Sequence, residues 1–435
     1  MLRQAASQPR ANDSFDASVW HQTAIDPLRL FPLDGLITAD VAIVGAGYTG
    51  LSTALHLAER GVSTVVLEAE EPGYGASGRS GGQVIPLFKC EPDEMVARYG
   101  EHAGSALVRL VANSANDVFS LVKRLDLKCD AVCTGWIQTA WGKSGSEVLR
   151  RRHAQWSRRV APIRLLGHEE LRDLTGTSYY REGFLHEGAG SVNPLGFVRA
   201  LAGAARNAGA TIFVNSPATR LFKRGELWVV STPAGEVAAK TVVLATNAYT
   251  SDLWPGLRQS IVPLYSMQVA SVPLSPELQE TILPSQQCVA DTRRVVWYFR
   301  RDREGRFILG SRGPFNPRPG PSDAQVLVHA AQKLYPSLES VSFPFTWAGR
   351  VAMTTDHMPR LYRLARGVIA ALGYNGRGVA MATTMGRIVA ATCMDEVSDQ
   401  PTFPVTELRA VPFHAFHRAG VQAVATYFRL LDRLA

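Results

Sequence analysis

The sequence predicts an α/β fold (α+β overall) in which the segments of a Rossmann-type domain are interleaved with those of a second domain built on a mixed sheet. Three observations support this prediction: a strand–helix–strand unit with a glycine motif at 41–68, two more glycine-rich turns at 73–83 and 373–378, and alternating strands within 262–345. The predicted limits are 1–38 for an N-terminal arm, 39–92, 190–260 and 346–435 for the Rossmann-type domain, and 93–189 and 261–345 for the second domain.

The composition is that of a globular protein with room for two domains. The chain has 435 residues, of which 46% are hydrophobic and 19% are charged. No apolar run reaches the roughly 18–20 residues that cross a bilayer, and the N-terminus lacks the apolar core of a secretory signal. We therefore expect a cytoplasmic enzyme without a transmembrane segment.

The net charge of +8 raises the question of nucleic-acid binding. The arginines are scattered, with local clusters at 150–152 and 158–159, and no recognised nucleic-acid motif accompanies them. An anionic cofactor or substrate explains part of the positive charge equally well. We therefore do not expect a nucleic-acid partner. The five cysteines show no metal-ligand spacing, so a metal site is not expected either.

The first strand–helix–strand unit carries the strongest signal. An apolar strand at 41–44 leads into a G-x-G-x-x-G motif formed by Gly45, Gly47 and Gly50, and a helix follows directly. In this motif the first glycine permits a tight turn, the second lets the backbone approach a pyrophosphate, and the third allows close packing of helix on strand. Glu68 ends the next strand, where a carboxylate can accept hydrogen bonds from an adenosine ribose. The unit therefore predicts a bound dinucleotide.

The elements that follow complete the two predicted domains. Helical periodicity dominates 93–172, and a further helix is predicted at 195–208. The predicted strands of the second domain are Tyr265–Val272, Arg294–Arg300 and Arg306–Ser311, the last two joined by a hairpin at Asp302–Gly305. The final third returns to α/β character, with a strand at 367–371, the glycine-rich turn at 373–378 and a helix to about Met394.

Six sequence blocks carry a family resemblance. They are VAIVGAGYTGLSTALHLAERGVSTVVLEA at 41–69, GYGASGRSGGQ at 73–83, VVLATNAY at 242–249, WAGRVAMTTDHMP at 347–359, GYNGRGVAMATTMGRIVA at 373–390 and VPFHAFHRAG at 411–420. These blocks, which extend over nearly the whole chain, resemble the D-amino-acid oxidase-like superfamily of FAD-dependent oxidoreductases. Within that superfamily, the segment GASGRSGGQ most resembles the gamma-glutamylputrescine oxidoreductases and their relatives.

The resemblance implies FAD as the cofactor. Three glycine-rich turns suit so long a molecule, with its pyrophosphate at 45–50, the flavin end near 75–83, and the ribityl and pyrimidine end near 373–379. The residues implied to contact FAD are Gly45, Gly47, Tyr48, Thr49, Gly50, Glu68, Ala69, Gly75, Ala76, Ser77, Gly78, Arg79, Gly82, Gln83, Ala218, Thr246, Asn247, Gly376, Arg377, Gly378 and Val379.

Within that set, the resemblance implies distinct roles. Glu68 would bind the adenosine ribose, Ala218 would lie near adenine, and 377–379 would reach the flavin pyrimidine. Relatives with a covalent flavin use a cysteine after the last glycine-rich turn or a histidine in the second. Neither is present at 379–385 or at 75–83, so we expect noncovalent FAD.

By the same resemblance, the enzyme is an amine or amino-acid oxidoreductase that acts on CH–NH or CH–NH2 donors. A hydride equivalent passes from the carbon beside nitrogen to the flavin, the imine hydrolyses to a carbonyl compound, and dioxygen or another acceptor reoxidises the flavin. With dioxygen, hydrogen peroxide is released. The expected substrate is gamma-glutamylputrescine or another extended amine, in polyamine catabolism. The alternatives are a D-amino acid, glycine, sarcosine or an opine, or a role as the FAD-binding subunit of a larger dehydrogenase complex.

Tyr298, Arg350 and Tyr265 are the catalytic candidates. Alternation along the predicted strand exposes Tyr298 on one face, where its ring could hold an amine by a cation–π contact. Tyr265 and Met267 are similarly placed on a neighbouring strand. For all three side chains, packing within the sheet is the alternative.

Arg350 departs from the family pattern by one position. Amino-acid-oxidising relatives often place an arginine where Val351 stands here, to clamp the substrate carboxylate. A one-residue offset on a strand turns a side chain to the opposite face. Either the local register differs or the substrate has no α-carboxylate at that point, and we favour the second. His186, Asp356 and His357 are possible polar contacts, with a structural role as the alternative.

Overall fold

The computed structural model describes residues 15–159, 162–394 and 403–434. The first fourteen residues of the predicted arm, and 160–161, 395–402 and 435 of the predicted domains, lie outside the described residues. The helices are α1 (Val19–Thr23), α2 (Tyr48–Ala58), α3 (Pro92–Arg124), α4 (Gly142–Ser157), α5 (His168–Thr175), α6 (Pro194–Asn207), α7 (Pro276–Thr281), α8 (Pro321–Leu334), α9 (Gly378–Cys393) and α10 (His417–Leu434). Within these ranges, no helix is long and apolar enough to cross a membrane.

The strands form two eight-stranded sheets and one short pair. They are β1 (Gly35–Val44), β2 (Thr64–Leu67), β3 (Gln83–Val84), β4 (Trp136–Thr139), β5 (Ile163–Leu166), β6 (Gly183–His186), β7 (Gly190–Ser191), β8 (Thr211–Phe213), β9 (Arg220–Arg224), β10 (Leu227–Ser231), β11 (Gly235–Leu244), β12 (Val262–Pro273), β13 (Cys288–Asp291), β14 (Tyr298–Arg301), β15 (Arg306–Arg312), β16 (Phe345–Met353), β17 (Arg360–Ala365) and β18 (Val368–Leu372). The predicted α/β fold class is confirmed.

The first sheet has the order β17-β18-β11-β1-β2-β8, with β10 paired to β11 and β9 to β10. Strands β18, β11, β1, β2 and β8 are parallel to their neighbours in this core. All residues of β2 and β18 are buried, as expected for parallel strands covered on both faces. Because the strands are parallel, the carboxyl ends of β1, β2, β11 and β18 meet at one edge of the sheet.

The second sheet has the order β16-β12-β15-β14-β13-β4-β6-β5 and is mixed, since β13 and β4 are parallel while the other pairs are antiparallel. The predicted hairpin at Asp302–Gly305 joins β14 to β15. Strand β14 begins at Tyr298, four residues later than predicted. The Asp291 carboxylate accepts hydrogen bonds from the backbone N–H groups of Arg293 (3.2 Å) and Trp297 (3.0 Å) and so holds 292–297 in a turn.

Sheet membership alternates along the chain. The first sheet takes strands from 35–67, 211–244 and 360–372, and the second takes strands from 136–186, 262–312 and 345–353. The predicted limit at 346 therefore needs correction, because β16 pairs with β12 from Val262↔Met353 to Ala270↔Phe345 and belongs to the mixed sheet. The limit at 38 needs the same correction, because β1 begins at Gly35. The other domain limits stay predictions.

Candidate active site

The glycine motif lies at the carboxyl edge of the first sheet, the edge at which Rossmann-type domains hold a dinucleotide in a cleft. Gly45 has φ +108°, a conformation that favours glycine, and a Cβ there would lie 2.9 Å from the carbonyl oxygen of Ala245. A Cβ on Gly47 would lie 2.9 Å from Ser77 Oγ. That hydroxyl also accepts a hydrogen bond from the Tyr48 N–H at the start of α2 (3.2 Å). The backbone can therefore come close to a phosphate group at the N-terminus of α2.

Glu68 lies immediately beyond β2, at the same edge. Its carboxylate accepts hydrogen bonds from the backbone N–H groups of Ala46 (2.7 Å) and Glu70 (3.1 Å), which fix its orientation. Burial raises the pKa of Glu68 despite these bonds. The segment that contains Ala218 runs alongside, since the Ser216 N–H donates to the Glu68 carbonyl oxygen (2.8 Å). Glu68 thus lies at the position from which, in a Rossmann-type domain, an acidic side chain accepts hydrogen bonds from the ribose.

The second glycine-rich segment folds onto the first. Ser77 lies in a short 3₁₀ turn, and its carbonyl oxygen accepts a hydrogen bond from the Tyr48 hydroxyl (2.8 Å). The predicted positions Gly75, Ala76, Gly78 and Gly82 lie on this same segment. The segment therefore continues the cleft from the α2 N-terminus toward the mixed sheet.

The third glycine-rich turn is held at the same edge by two asparagines. Asn247 Oδ1 accepts a hydrogen bond from the Gly373 N–H (2.9 Å), and Asn375 Nδ2 donates to the Gly373 carbonyl oxygen (2.6 Å). The Tyr374 hydroxyl lies 2.6 Å from Thr49 Oγ1, which joins this turn to α2. The structure thus brings together the three glycine-rich segments that the sequence predicted to share one cofactor.

Helix α9 begins at this turn with its N-terminus toward the cleft. No side chain caps the helix, and Gly376, Gly378 and Val379 lie at its start. Unpaired N–H groups and the helix dipole favour a negative charge at this position. Arg377 is half-buried, with its guanidinium carbon 5.1 Å from the ring centroid of Trp136. Burial and the charge of Arg152 lower the pKa of Arg377 to about 9.

Two predicted FAD contacts have side chains bound to the protein backbone. Arg79 Nε donates to the Tyr74 carbonyl oxygen (2.7 Å), and its guanidinium lies over the Phe15 ring. Gln83 Nε2 donates to the carbonyl oxygens of Val289 (3.2 Å) and Phe299 (3.3 Å). Both side chains hold the second glycine-rich segment in place, and their contact with FAD stays a prediction.

Tyr298 faces the cofactor segments. Its half-buried ring lies against Gly81, where a Cβ would come within 2.9 Å of Cε2. Its hydroxyl lies 2.7 Å from Ser266 Oγ, and burial raises the pKa of Tyr298 to about 12. The phenol is therefore neutral at physiological pH, and the ring can present its edge or face to a ligand in the cleft.

The structure does not bring Tyr265, Met267 and Arg350 to that face. The register pairs Tyr298 with Gly310 and Gly310 with Gln268, so the side chains of Tyr298 and Gln268 share one face. Tyr265 and Met267 are offset from Gln268 by an odd number of residues and point the opposite way. Arg350 is the cross-strand partner of Tyr265 and shares its face.

Arg350 is exposed, and Nε donates to the Tyr265 hydroxyl (3.0 Å). The side chain of Val351, the next residue on β16, therefore points to the same face of the mixed sheet as Tyr298. This agrees with the one-residue offset between Arg350 and the family's arginine position. An apolar side chain stands where an arginine would be expected for an α-carboxylate. The Arg350 guanidinium also lies over the Tyr249 ring, at 5.2 Å from its centroid. A direct catalytic role for Tyr265 or Arg350 stays a prediction.

The three predicted polar contacts have other surroundings. His186 is only 1% exposed and lies on β6 of the mixed sheet, as the cross-strand partner of Trp136. Asp356 forms ion pairs with Arg98 and Arg360. Burial, with the charge of Lys89, lowers the pKa of His357.

Lys89 and Trp136 were missed by the sequence reasoning. Lys89 is the one charged residue in the otherwise apolar run from Val84 to Cys90, and that isolation was the available signal. Trp136 gave no signal, because its contact with Arg377 joins residues far apart in the chain.

A Rossmann-type sheet, three converging glycine-rich segments and a second sheet closing the cleft define a dinucleotide-dependent oxidoreductase. The model of the family described as FAD dependent oxidoreductase matches residues 40–392. The chain belongs to this family, and its cofactor is FAD, as predicted. Homologues in the family act on the CH–NH bonds of amines or amino acids, so the prediction of an enzyme is confirmed.

The relatives agree with this assignment. Gamma-glutamylputrescine oxidoreductase of Escherichia coli is 30% identical over 416 residues, which cover 93% of this chain and 96% of that protein. Glycine oxidase of Geobacillus kaustophilus is 26% identical over 81% of this chain and 92% of that protein. The crystal structure of glycine oxidase from Geobacillus kaustophilus has a TM-score of 0.73 at 23% identity, covers 86% of this chain and 100% of that chain, and shows the shared fold.

Proposed function

We propose that this protein oxidises the C–N bond of an extended amine, of the gamma-glutamylputrescine type, to an imine that hydrolyses to an aldehyde. The observation that carries the proposal is the position of Tyr298, an aromatic side chain placed against the second glycine-rich segment on the face of the mixed sheet turned toward the cofactor cleft. The 30% identity with a gamma-glutamylputrescine oxidoreductase over nearly the full length of both chains supports the substrate class.

FAD held in the cleft, noncovalently in this proposal, would accept the hydride equivalent (two electrons and one proton) from the carbon beside nitrogen, while the proton lost from nitrogen passes to solvent. Tyr298 orients the amine by its ring, while the Ser266 hydroxyl fixes the phenol (2.7 Å). The phenol stays neutral because burial raises its pKa to about 12, so Tyr298 positions the substrate and is not a general base. Reoxidation by dioxygen, with release of hydrogen peroxide, and a cytoplasmic location are part of the proposal.

Val351 supports a substrate without an α-carboxylate beside the reacting carbon. Amino-acid-oxidising relatives often have an arginine at this position of β16, and the cation of Arg350 is on the other face of the strand. An amine whose oxidised carbon carries only hydrogens and an alkyl chain has no such requirement. We therefore favour an extended amine over a D-amino acid, glycine, sarcosine or an opine.

An anaerobic flavin-reduction screen of the holoenzyme tests the proposal. We expect gamma-glutamylputrescine or another polyamine derivative to bleach the flavin absorbance faster than D-alanine, glycine, sarcosine or an opine. Faster bleaching by the amino acids would overturn the substrate class. No bleaching by any of these compounds would indicate a subunit that acts only within a larger complex. Peroxide release on readmitting air then distinguishes an oxidase from a dehydrogenase.

A further inference from the structure

The C-terminal helix α10 carries a cluster of exposed apolar side chains. Of the twelve large hydrophobic side chains that are exposed in the described part of the chain, five lie within 413–430. Phe413 (84% exposed) and Phe416 (71%) belong to the 3₁₀ turn before α10 and its approach, and Val424 (49%), Tyr427 (57%) and Leu430 (54%) lie on the helix. A contiguous apolar surface of this kind commonly marks an interaction site.

This cluster is not the face by which α10 packs on the rest of the protein. Ala425 is buried, and Val421 and Phe428, one turn to either side, are half-buried. With 3.6 residues per turn, these three side chains lie on nearly the opposite side of the helix axis from Tyr427 and Leu430. The helix therefore buries one apolar stripe against the protein and leaves a second one exposed.

Both ends of α10 are fixed to the mixed sheet. At the beginning, a ring nitrogen of His414 lies 2.9 Å from the carbonyl oxygen of Ile261. At the end, the Asp432 carboxylate accepts a hydrogen bond from the Val295 N–H (3.0 Å), and its carbonyl oxygen accepts one from Trp141 Nε1 (3.0 Å). The exposed stripe is thus held in place before any partner binds, which lowers the ordering cost of binding.

The spacing of the exposed stripe is that of a contact between two helices. Phe416, Gly420, Ala423, Tyr427 and Leu430 follow one another at intervals of four, three, four and three residues. This seven-residue repeat forms a line along which one helix packs against another. Gly420 lies near the middle, where a Cβ would meet nothing within 4 Å, and Ala423 is also exposed. Small side chains at this point allow two helix backbones to approach closely.

The stripe is complementary to itself. Its midpoint lies between 421 and 422, from which Gly420 and Ala423 are equally far, as are Phe416 and Tyr427. A second α10 that runs antiparallel across this midpoint therefore brings Phe416 against the partner's Tyr427, and Tyr427 against the partner's Phe416. Such reciprocal contacts are what a two-fold interface between identical chains requires.

The polar residues of α10 are compatible with such a pair. Arg418, Gln422 and Arg429 are exposed and lie on the side of the helix away from the stripe, so pairing does not bury their positive charges. The depression at Gly420 and Ala423 suits a second helix better than a lipid surface, because membrane binding scales with the apolar area that is inserted. By sequence, the segments outside the described residues, MLRQAASQPRANDS at 1–14 and DEVSDQPT at 395–402, offer no matching apolar repeat.

We propose that α10 and the 3₁₀ turn before it form a dimerisation surface, which binds α10 of a second copy of this chain as an antiparallel helix pair. The inference is independent of the substrate assigned under the proposed function. Because one helix pair is a small interface, we expect a dimer that dissociates in the micromolar range. Because the interface is two-fold, each substitution on the stripe acts twice.

Sedimentation velocity of the holoenzyme between about 1 and 100 μM tests the proposal. The wild type should show a monomer–dimer equilibrium. Tyr427→Glu and Leu430→Glu should each raise the Kd of the dimer at least about 100-fold, because each places an unpaired carboxylate at two positions in the interface. The matched control is Gln422→Glu, which adds the same charge to an exposed position of the same helix and should leave the Kd within about twofold.

A wild type that stays monomeric at 100 μM, or a dimer that both Tyr427→Glu and Leu430→Glu leave intact, would overturn the proposal. FAD content and Tm show whether each variant is folded, and Tyr427→Gln is a milder substitution that should still weaken the dimer. Vesicles of phosphatidylglycerol and phosphatidylcholine test the lipid alternative. If a monomeric wild type sediments with these vesicles and Tyr427→Glu does not, the stripe binds a lipid surface and the second copy is refuted.

Discussion

The ring of Tyr298 lies against Gly81 so closely that a Cβ on Gly81 would come within 2.9 Å of Cε2. This contact joins the mixed sheet to the second glycine-rich segment. It sets the position of Tyr298, which is proposed to orient the substrate, relative to the cofactor. Gly81 was part of the glycine-rich stretch noted in the sequence, but no role was assigned to it. Its small size is what allows an aromatic ring to approach the cofactor segments.

Gly81→Ala should therefore displace Tyr298 while FAD binding is retained. We expect kcat/KM for the amine to fall at least about tenfold, because a small misplacement of a positioning group costs a large factor in rate. The control is Gly167→Ala, where a Cβ would meet nothing within 4 Å. Steady-state kinetics, normalised to flavin content, measures both variants. An unchanged kcat/KM in Gly81→Ala would contradict the assigned contact.

Because Tyr298 and Arg350 point to opposite faces of the mixed sheet, we expect substitutions of the two residues to change kcat/KM by different amounts. Tyr298→Phe loses the hydrogen bond to Ser266 and should lower kcat/KM roughly 2- to 10-fold, the size of one net hydrogen bond. Tyr298→Ala should cost more, because the ring is also lost. Arg350→Ala and Tyr265→Phe should change kcat/KM less than about twofold, since their side chains face away. Anaerobic reduction rates measure the set, and loss of activity in Arg350→Ala would show that the face assignment fails.

Glu68→Gln should weaken FAD binding. The substitution removes the charge that accepts the Ala46 N–H at 2.7 Å and that is placed to accept hydrogen bonds from the ribose. We expect the Kd of the apoprotein for FAD to rise about 10- to 100-fold, measured by flavin fluorescence titration. Glu226→Gln, at an exposed position, is the control. An unchanged Kd would remove Glu68 from the ribose site.

His186 should make the fold sensitive to acid. Burial lowers the pKa of His186 to about 4, and neither ring nitrogen has a hydrogen-bond partner within the described residues. The unfolded chain takes up a proton below about pH 6.5, whereas the folded protein does so only near pH 4. Stability is therefore lost as the pH falls through this window, by roughly 3 kcal/mol in total.

His186→Gln should flatten this loss, because the side chain no longer titrates. The measurement is the difference in Tm between pH 7.5 and pH 5.0, which should be smaller than in the wild type. His102→Gln, at an exposed histidine, should keep the wild-type difference. An identical dependence of Tm on pH in the wild type and His186→Gln would show that another group causes the loss of stability in acid.

The sequence predicted the convergence of the glycine-rich segments better than the arrangement of the catalytic candidates, for physical reasons. Gly45, Gly47 and Glu68 belong to one local strand–helix–strand unit, so spacing alone determined their relationship. The relationship of Tyr298 to Tyr265 depends on the pairing of β14, β15 and β12, which spacing within one strand does not determine. The offset between Arg350 and Val351 could be interpreted because both lie on one strand.

Lys89 illustrates the remaining limit. Its charge is affected by Arg152 of α4 and by Arg377, which precedes α9, and neither residue is near it in the chain. An isolated lysine in an apolar run indicates an unusual environment, but the sequence does not say which partners are missing. Only the folded arrangement shows that Arg152 is neutralised and Lys89 is not.

The alternation of sheet membership along the chain has a consequence for biogenesis. The first sheet gains β18 beside β11 only when residues 368–372 have been made, and the mixed sheet gains β16 beside β12 only with 345–353. A nascent chain that ends before residue 345 therefore has an unpaired edge on each sheet and lacks the third glycine-rich turn. Such edges are aggregation-prone. The two sheets should thus be completed, and the flavin bound, at nearly the same time and late in translation. Neither sheet should be obtainable as an independently folded fragment.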